Sequence, residues 1–155
     1  MKGNVKLLET LNGLLSDELT AINQYMVHAE MCENWGYDAL GKMIQARSIV
    51  EMKHAEILIG RILFLEGRPI VSKYGDITIG AEVPKMFEND HKAEITAVKN
   101  YNSAVKLAVE VGDNATKEIL EAILKQEDEH VDEIETQQDQ INQMGLPPYL
   151  NKQIG

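Results

Sequence analysis

The tetrads Glu51-Met-Lys-His54 and Glu127-Asp-Glu-His130 decide the fold of this chain. One further glutamate precedes each tetrad by the same interval, Glu18 in the first half and Glu94 in the second. A single offset along the chain therefore relates the three residues of one half to those of the other. The interval before each tetrad carries the chain from a point on one long helix to the same height on the next helix. The repeat thus predicts two helical hairpins of the same build.

The repeated residues form a complete set of metal ligands. Four carboxylates and two imidazoles are the ligands of a carboxylate-bridged di-iron centre in a four-helix bundle. Oxygen-rich ligands with two imidazoles suit iron or manganese better than zinc, which prefers fewer ligands in tetrahedral geometry. Two divalent cations would also balance four buried carboxylates, each of which would otherwise cost several kcal/mol. We therefore predict that each subunit binds two iron ions through six catalytic residues: Glu18, Glu51, His54, Glu94, Glu127 and His130.

The four glutamates are predicted to face the core, although most glutamates on helices face solvent. Residues seven or eleven apart lie within about 20° of each other around a helix. At these spacings apolar residues surround every one of the four: Leu11 and Ala29 for Glu18, Ile44 and Leu58 for Glu51, Phe87 and Val105 for Glu94, and Leu120 and Ile134 for Glu127. Each histidine follows a glutamate by three residues, so both side chains can reach one point.

Glycine, proline and capping residues divide the chain into five helices and one long link. Asp38 is the predicted N-cap of the second helix, and Asp113 or Asn114 is that of the fourth. The predicted helices cover about residues 5–34, 38–66, 83–111, 113–144 and 149–154, with a crossover at 67–82. The two short turns require antiparallel hairpins.

The crossover is long enough to span the whole bundle. Its residues reach roughly 50 Å at about 3.3 Å each, whereas a helix of about 28 residues is about 42 Å long. The second and third helices can therefore run parallel. We expect an all-α, up-down-down-up four-helix bundle with one long crossover and a short C-terminal fifth helix.

Composition favours one compact helical domain over residues 1–155 and excludes several partners. The formal net charge is -10, which disfavours binding to nucleic acids or anionic membranes. No apolar run approaches the roughly 20 residues that a membrane-spanning helix needs. Glu9 and Asp17 interrupt the first apolar stretch, which is not typical of a signal peptide. We expect a cytoplasmic protein with no nucleic-acid partner and no membrane anchor.

Three further residues have roles that the pattern leaves open. Tyr25 and Tyr101 are related by the same offset as the ligands. Three roles are open for each of them. It can be an ordinary core aromatic residue whose hydroxyl finds a partner, a hydrogen-bond donor to a metal-bound carboxylate, or an oxidisable side chain near the metals. Cys32 is the only cysteine, so there is neither a disulfide framework nor a Cys-x-x-Cys motif. We expect a buried, inert thiol.

With these residues in place, the whole chain resembles bacterioferritin, the haem-containing bacterial branch of the ferritins. Besides the six ligands, the resemblance rests on the stretches Glu51-Met-Lys-His-Ala55, Arg61-Ile-Leu-Phe-Leu-Glu-Gly67 and Gly145-Leu-Pro-Pro-Tyr-Leu150. It implies the ferritin-like fold and a homo-oligomeric shell of 24 subunits built from two-fold dimers. Such a shell oxidises Fe(II) with O2 or H2O2 and stores the product as a ferric mineral. The resemblance also implies a ferredoxin-type reductant for iron release.

The resemblance also assigns roles to individual residues. Glu51 and Glu127 are the implied bridging ligands, Glu18 and Glu94 the terminal carboxylates, and His54 and His130 the nitrogen ligands. One haem b per subunit dimer is implied, with Met52 from each of two subunits as its axial ligands. Met52 lies about 100° from Glu51 around the helix and so points away from the metal face, as an ordinary interface methionine also would. The implied companions in the haem pocket are Leu19, Ile22, Asn23 and Met26.

The chain departs from the family in one respect. Some members carry a His and an Asp five and one residues before the bridging glutamate, and these form an iron site on the inner surface. Ala46 and Val50 stand at those places here. The resemblance therefore does not extend to an inner-surface iron site.

Two other functions use similar features. A rubrerythrin-like peroxide reductase has a similar di-iron centre, but such proteins usually receive electrons through a cysteine-rich domain that a single cysteine cannot build. A non-enzymatic haem-binding oligomer, with its carboxylates merely occupied by metal, is the other alternative. A very large particle on gel filtration favours storage over both.

Overall fold

The computed structural model describes all 155 residues and is all-helical. Its helices are α1 (Val5–Asn34), α2 (Asp38–Phe64), α3 (Val83–Glu110), α4 (Asn114–Met144) and α5 (Leu146–Lys152). α1 packs against α2 and α3, while α4 packs against α3, α2 and the short α5. This arrangement confirms the predicted four-helix bundle with a short fifth helix. None of the helices combines the length and the apolar character that crossing a membrane requires.

The ends of the long helices follow local capping chemistry. α1 ends at Asn34, as predicted, and Gly36 follows with a φ of 85°, a conformation that glycine adopts without strain. Asp113 is the N-cap of α4, where its side chain accepts a hydrogen bond from the backbone N–H of Thr116. The predicted cap at Asp38 is wrong: Tyr37 is the N-cap of α2 and makes no side-chain capping bond. Asp38 instead lies in the first turn, where its negative charge is favourable.

The end of α2 and the position of α5 differ from the predicted bounds by more than one residue, whereas the end of α3 and the start of α4 differ by one. α2 ends at Phe64 and not at Glu66, which has a φ of 60° that no continuing helix adopts. The fifth helix covers Leu146–Lys152 and not 149–154. The prolines at positions 147 and 148 occupy its first turn, where no backbone donor is needed, and do not merely terminate α4. Tyr149 anchors α5 because its buried hydroxyl donates to Gln137 Oε1 at 2.6 Å.

Side chains on one face of α1 hold the crossover in place. Asn12 accepts from the backbone N–H of Ile70, and the hydroxyl of Thr20 accepts from that of Gly75. Further along, Gln24 Oε1 accepts from Thr78 and His28 Nε2 accepts from Gly80, at 3.0 and 2.9 Å. Gly80 also packs so closely on the first turn of α3 that a Cβ would overlap the backbone of Met86. The crossover is thus fixed to α1 over most of its length.

The apolar core consists of two clusters. One contains the start of α1, the second half of α2, the second half of α3 and the start of α4, with Leu11, Leu58, Ala104 and Leu120 among its members. The other contains the opposite ends of the same helices, with Ile44, Phe87 and Ile134. Between the two clusters, each long helix carries one of the predicted glutamates: Glu18, Glu51, Glu94 and Glu127. The fold therefore places the candidate ligands in a central layer of the bundle.

Candidate metal centre

The six predicted ligands lie together in this central layer, and all six are buried. Two overlapping groups have ligand atoms within 4.8 Å of one another: Glu18, Glu51, His54 and Glu127, and Glu51, Glu94, Glu127 and His130. Glu51 and Glu127 belong to both groups. A carboxylate has two oxygens and can therefore contact two metal positions, which is the geometry of a bridging ligand.

Each of the six residues has one buried atom that makes no hydrogen bond, although four of these atoms form two close carboxylate–imidazole contacts. These atoms are Glu18 Oε2, Glu51 Oε1, His54 Nδ1, Glu94 Oε2, Glu127 Oε1 and His130 Nδ1. Buried polar atoms are nearly always hydrogen-bonded, so six such atoms in one layer require an explanation. A pair of divalent cations would satisfy all of them, because carboxylate oxygens and imidazole nitrogens are the ligands that iron prefers. The residues present therefore fit a two-metal site.

Each histidine lies closest to the glutamate of the opposite hairpin. His54 Nδ1 is 2.8 Å from Glu127 Oε1, and His130 Nδ1 is 2.8 Å from Glu51 Oε1. The glutamates of their own tetrads are farther away, at 3.5 Å from His54 and 3.8 Å from His130. The two hairpins are thus joined through the site.

Burial and crowding change the protonation of the metal-free site. Burial, aided by the charge of Glu51, raises the pKa of Glu18 well above its usual range, and burial raises that of Glu127 to about 9. Burial alone would lower the pKa of His130, but the carboxylates of Glu51 and Glu94 raise it to about 9. The pKa of His54 is raised in the same way by its neighbours, Glu127 first among them. Without metal the site therefore holds protons that a cation must displace.

Two tyrosines hydrogen-bond the two glutamates that each belong to only one of the two groups. The hydroxyl of Tyr101 donates to Glu18 Oε1 at 2.6 Å, and that of Tyr25 donates to Glu94 Oε1. Burial, followed by the charge of the nearby carboxylates, raises the pKa of both hydroxyls well above the usual value. Both therefore stay protonated and act as donors, one of the roles that the sequence pattern left open.

The sequence pattern does not reveal a buried group of polar residues next to this layer, which we name the polar cluster: Gln24, His28, Arg47 and Asp90. Asp90 Oδ1 accepts from Gln24 Nε2 at 2.8 Å and from His28 Nδ1 at 2.9 Å. Because His28 Nε2 accepts from the backbone of Gly80, its Nδ1 must carry the hydrogen.

Arg47 joins the polar cluster to one of the tyrosines. Its guanidinium lies 3.8 Å from Asp90 Oδ2, donates to Glu133 at 3.2 Å and covers the ring of Tyr25 at 5.3 Å. The available signal in the sequence is its position: Arg47 lies three residues after Ile44 and four before Glu51, inside a stripe that is otherwise buried.

The remaining singled-out residues lie elsewhere. Met52 is 46% exposed on the outside of α2, next to the buried Glu51. Ala46 is exposed and Val50 is partly buried, and neither side chain carries a ligand atom. Cys32 is buried, as predicted, with its sulfur 3.9 Å from Met86 Sδ. Burial raises the pKa of its thiol to about 11, so it is not a reactive thiolate at neutral pH.

A cavity connects the site with the surface. Its volume is about 330 Å³, and it lies between α1 and α3 beneath the crossover. Exposed residues of the crossover line its outer part, including Gly75 and Asp76. Its inner wall includes all four buried carboxylates: Glu18, Glu51, Glu94 and Glu127. A small ion can therefore reach the site without opening the bundle.

A four-helix bundle with one long crossover and a buried layer of four glutamates and two histidines defines the ferritin-like class of helical metal proteins. Residues 8–144 match the ferritin-like domain. Over nearly the whole chain, the sequence is similar to curated bacterioferritins. It is 42% identical to the bacterioferritin of Rhodobacter capsulatus (94% of this chain, 90% of that protein) and 37% identical to that of Streptomyces coelicolor (99% and 92%). It is 38% identical to that of Brucella melitensis (96% and 92%). The chain belongs to the bacterioferritin family.

Proposed function

We propose that this protein stores iron and that it is a ferroxidase, which oxidises Fe(II) to Fe(III) at the buried site before the product enters a mineral. The observation that supports this most strongly is the pair of overlapping groups of ligand atoms, each with three carboxylates and one imidazole. Four buried carboxylates in one layer would be costly without cations to balance their charge.

In this proposal the six side chains have distinct tasks. Glu51 and Glu127 each contact both Fe(II) ions, since both belong to the two groups of ligand atoms. Glu18 and Glu94 each hold one ion, and the tyrosine hydroxyls keep these carboxylates oriented. His54 supplies its Nδ1 to one position, and His130 supplies its Nδ1 to the other.

The redox step needs two electrons and two protons. Two Fe(II) ions give one electron each, and the pair of electrons reduces one O2 to H2O2 or one H2O2 to two water molecules, with uptake of two protons. Fe(II) binding displaces protons from carboxylates and imidazoles whose pKa values are raised, such as Glu127 and His130.

We also propose a haem b site at a two-fold subunit interface, with Met52 of each subunit as an axial ligand. The thioether of Met52 is exposed on the outer side of α2, and Met26 is exposed on the neighbouring α1. Leu19, Ile22 and Asn23 are partly buried beside them on α1. A two-fold axis repeats every residue, so one haem would receive two identical thioether ligands. Such a haem would carry electrons at the shell wall.

The family also supports a particular assembly and set of partners. We propose a homo-oligomeric shell of 24 subunits in the cytoplasm, which receives electrons from a ferredoxin-type reductant when iron is released. The exposed apolar residues on α1 and α2 are consistent with burial between subunits.

Replacing single ligands by alanine tests the ferroxidase proposal. We expect Glu18→Ala, His54→Ala, Glu94→Ala and His130→Ala to abolish most of the fast oxidation phase in stopped-flow mixing of Fe(II) with O2. Glu51→Ala and Glu127→Ala should have the largest effect, because each removes a ligand from both positions. Circular dichroism and gel filtration should show an intact helical particle. Fast oxidation that persists in Glu51→Ala would contradict the proposal.

The haem proposal has its own test. Met52→Leu keeps volume and apolarity, so it should leave the shell and the fast oxidation phase largely intact while it eliminates stoichiometric haem. Met26→Leu is the matched control, since Met26 is similarly exposed and should leave the axial-ligand spectrum unchanged. One haem per dimer with an unaltered spectrum in Met52→Leu would rule out Met52 as the ligand.

A further inference from the structure

The two metal positions differ in what holds their histidines. The Nε2 hydrogen of His54 donates to Gln126 Oε1 on α4. Gln126 directly precedes the bridging Glu127, and the residue at the matching place in the first half is Val50, which directly precedes Glu51. A valine side chain has no hydrogen-bonding atom, so the internal repeat gives one histidine a partner and leaves the other without the equivalent one.

The hydrogen bond to Gln126 fixes both the tautomer and the orientation of the His54 ring. With its hydrogen on Nε2, a neutral His54 has its lone pair on Nδ1, the atom that faces Glu18, Glu51 and Glu127. A ring that is already oriented loses less freedom when a metal binds, and an acceptor on the far nitrogen makes the near nitrogen a better ligand. The His130 side chain is more exposed, at 9% against 1% for His54.

The other parts of the two positions are nearly equivalent. Each has one terminal glutamate that accepts from a buried tyrosine, Glu18 from Tyr101 and Glu94 from Tyr25. Both share the two bridging carboxylates. A further difference is Arg47, whose positive charge lies against the ring of Tyr25 and so on the His130 side. This charge disfavours a cation there and acts in the same direction as the missing partner.

We propose that Gln126 is a positioning residue that makes the metal position beside His54 the tighter of the two. This inference rests on the proposed two-metal site. It implies that the first ion to enter binds through Glu18, His54 and the bridging carboxylates. The second ion then occupies the position beside His130 and is the more readily exchanged.

The test uses Co(II), which binds without being oxidised under the conditions of the reaction with Fe(II). Crystals of the metal-free shell are equilibrated with less than one Co(II) per subunit, and anomalous scattering gives the occupancy of each position. In the unmodified chain we expect occupancy predominantly beside His54. Removal of a hydrogen-bond partner behind a metal ligand typically weakens metal binding by about 10- to 100-fold. In Gln126→Val, which copies the residue of the other half, the ratio of occupancies should fall by about that factor.

Two further variants separate positioning from a merely structural effect. Gln126→Glu keeps an acceptor for His54 and should retain the preference. Val50→Gln places an acceptor in the matching position behind His130 and should raise the Co(II) occupancy there. If Gln126→Val does not fold, this variant by itself tests whether such an acceptor strengthens metal binding. Solution titrations followed by the Co(II) absorption bands give the two stepwise affinities independently.

The outcomes distinguish this inference from the proposed function. If Co(II) binds at neither position of the unmodified chain, the two-metal site itself is wrong. If Co(II) binds at both positions but Gln126→Val leaves the ratio of occupancies unchanged, the site stands and the role of Gln126 is refuted. A changed ratio in Gln126→Val, with the ratio retained in Gln126→Glu, supports the role.

Discussion

The two ends of the bundle are related by the same offset that relates the ligands, yet they differ in chemistry. At one end His28, Arg47 and Asp90 are buried in the polar cluster. The residues at the matching places of the other end are apolar and equally buried: Ala104, Ile123 and Leu14. The repeat therefore preserves which positions are buried but not what is buried there.

The difference follows from what each end must hold. The polar cluster provides acceptors for the crossover, since Gln24 and His28 bind the backbone N–H groups of Thr78 and Gly80. At the matching end Asn12, which is only partly buried, accepts from Ile70 at the start of the crossover, and Arg61 donates to Asp113 and Thr116. Both ends thus supply polar partners to irregular backbone, but only the polar cluster includes a buried arginine and a buried aspartate.

The largest effect on stability should come from Asp90→Leu, which gives the polar end the residue of the apolar end. This change leaves the Arg47 guanidinium buried with only the partly exposed Glu133, and it removes the acceptor of His28. Breaking one side of a buried ion pair typically costs about 3–5 kcal/mol. Denaturant unfolding of the metal-free protein measures the loss.

The matched control is the triple variant His28→Ala, Arg47→Ile and Asp90→Leu, which gives this end the apolar residues at the three matching places of the other end. It should recover much of the stability, because no unpaired charge remains. Hydrogen exchange at Gly80 should nevertheless be faster than normal, while Gly75, held by Thr20, keeps its protection. A triple variant that is no more stable than Asp90→Leu would contradict the electrostatic account.

In the metal-free protein, the central layer and the apolar end should make contributions to stability that depend on pH in different ways. The pKa values of Glu127 and His130 are raised to about 9, so the folded protein holds protons that the unfolded chain releases. The stability contributed by these groups should be fully present below their usual pKa values of 4.5 and 6.5 and should be lost progressively as pH rises from there through about 9. Melting temperatures from below the lower of these values to above pH 9 measure this decrease, and bound metal should diminish it.

At the apolar end, the pH dependence of stability should have the opposite sign, because there stability is lost as pH falls. Burial would raise the pKa of Asp113, but hydrogen bonds from Thr116 and the charge of Arg61 outweigh it and lower the pKa. Its contribution is therefore present above the usual carboxylate range and is lost as pH falls through the lowered value. In Asp113→Asn, the stability lost on acidification should be smaller than in the unmodified chain. If stability depends on acid pH equally in both, the ionised Asp113 carboxylate does not contribute to it.

The sequence is sufficient for the residues that recur. Three candidate ligands and one tyrosine in the first half recur at the same offset in the second half, and this repetition identifies all eight residues: Glu18, Glu51, His54, Glu94, Glu127, His130, Tyr25 and Tyr101. The polar cluster and Gln126 occur once, and nothing in the repeat singles them out. Their partners lie on other helices or in the crossover, far away along the chain, so only the folded structure reveals the contacts. The fifth helix is misplaced by the sequence pattern because prolines both end and begin helices.

The smallest of the predicted effects concerns the helix starts. Asp113 caps α4, whereas Tyr37 at the matching place of α2 makes no capping bond. Asp113→Ala should lower the free energy of unfolding by about 1–2 kcal/mol, the usual loss of an N-cap. Asp113→Asn keeps the capping acceptor and should lose much less. Equal losses in the two variants would show that the pair with Arg61, and not the cap, stabilises this turn.

The stoichiometry of fast iron oxidation tests the two-metal site most directly. The metal-free protein is titrated with Fe(II) under anaerobic conditions, and each sample is then mixed rapidly with O2 while absorbance is recorded. Two complete groups of ligand atoms in each subunit predict that the fast phase saturates at two Fe(II) per subunit. Saturation at one Fe(II) per subunit, or the absence of a fast phase, would contradict the account.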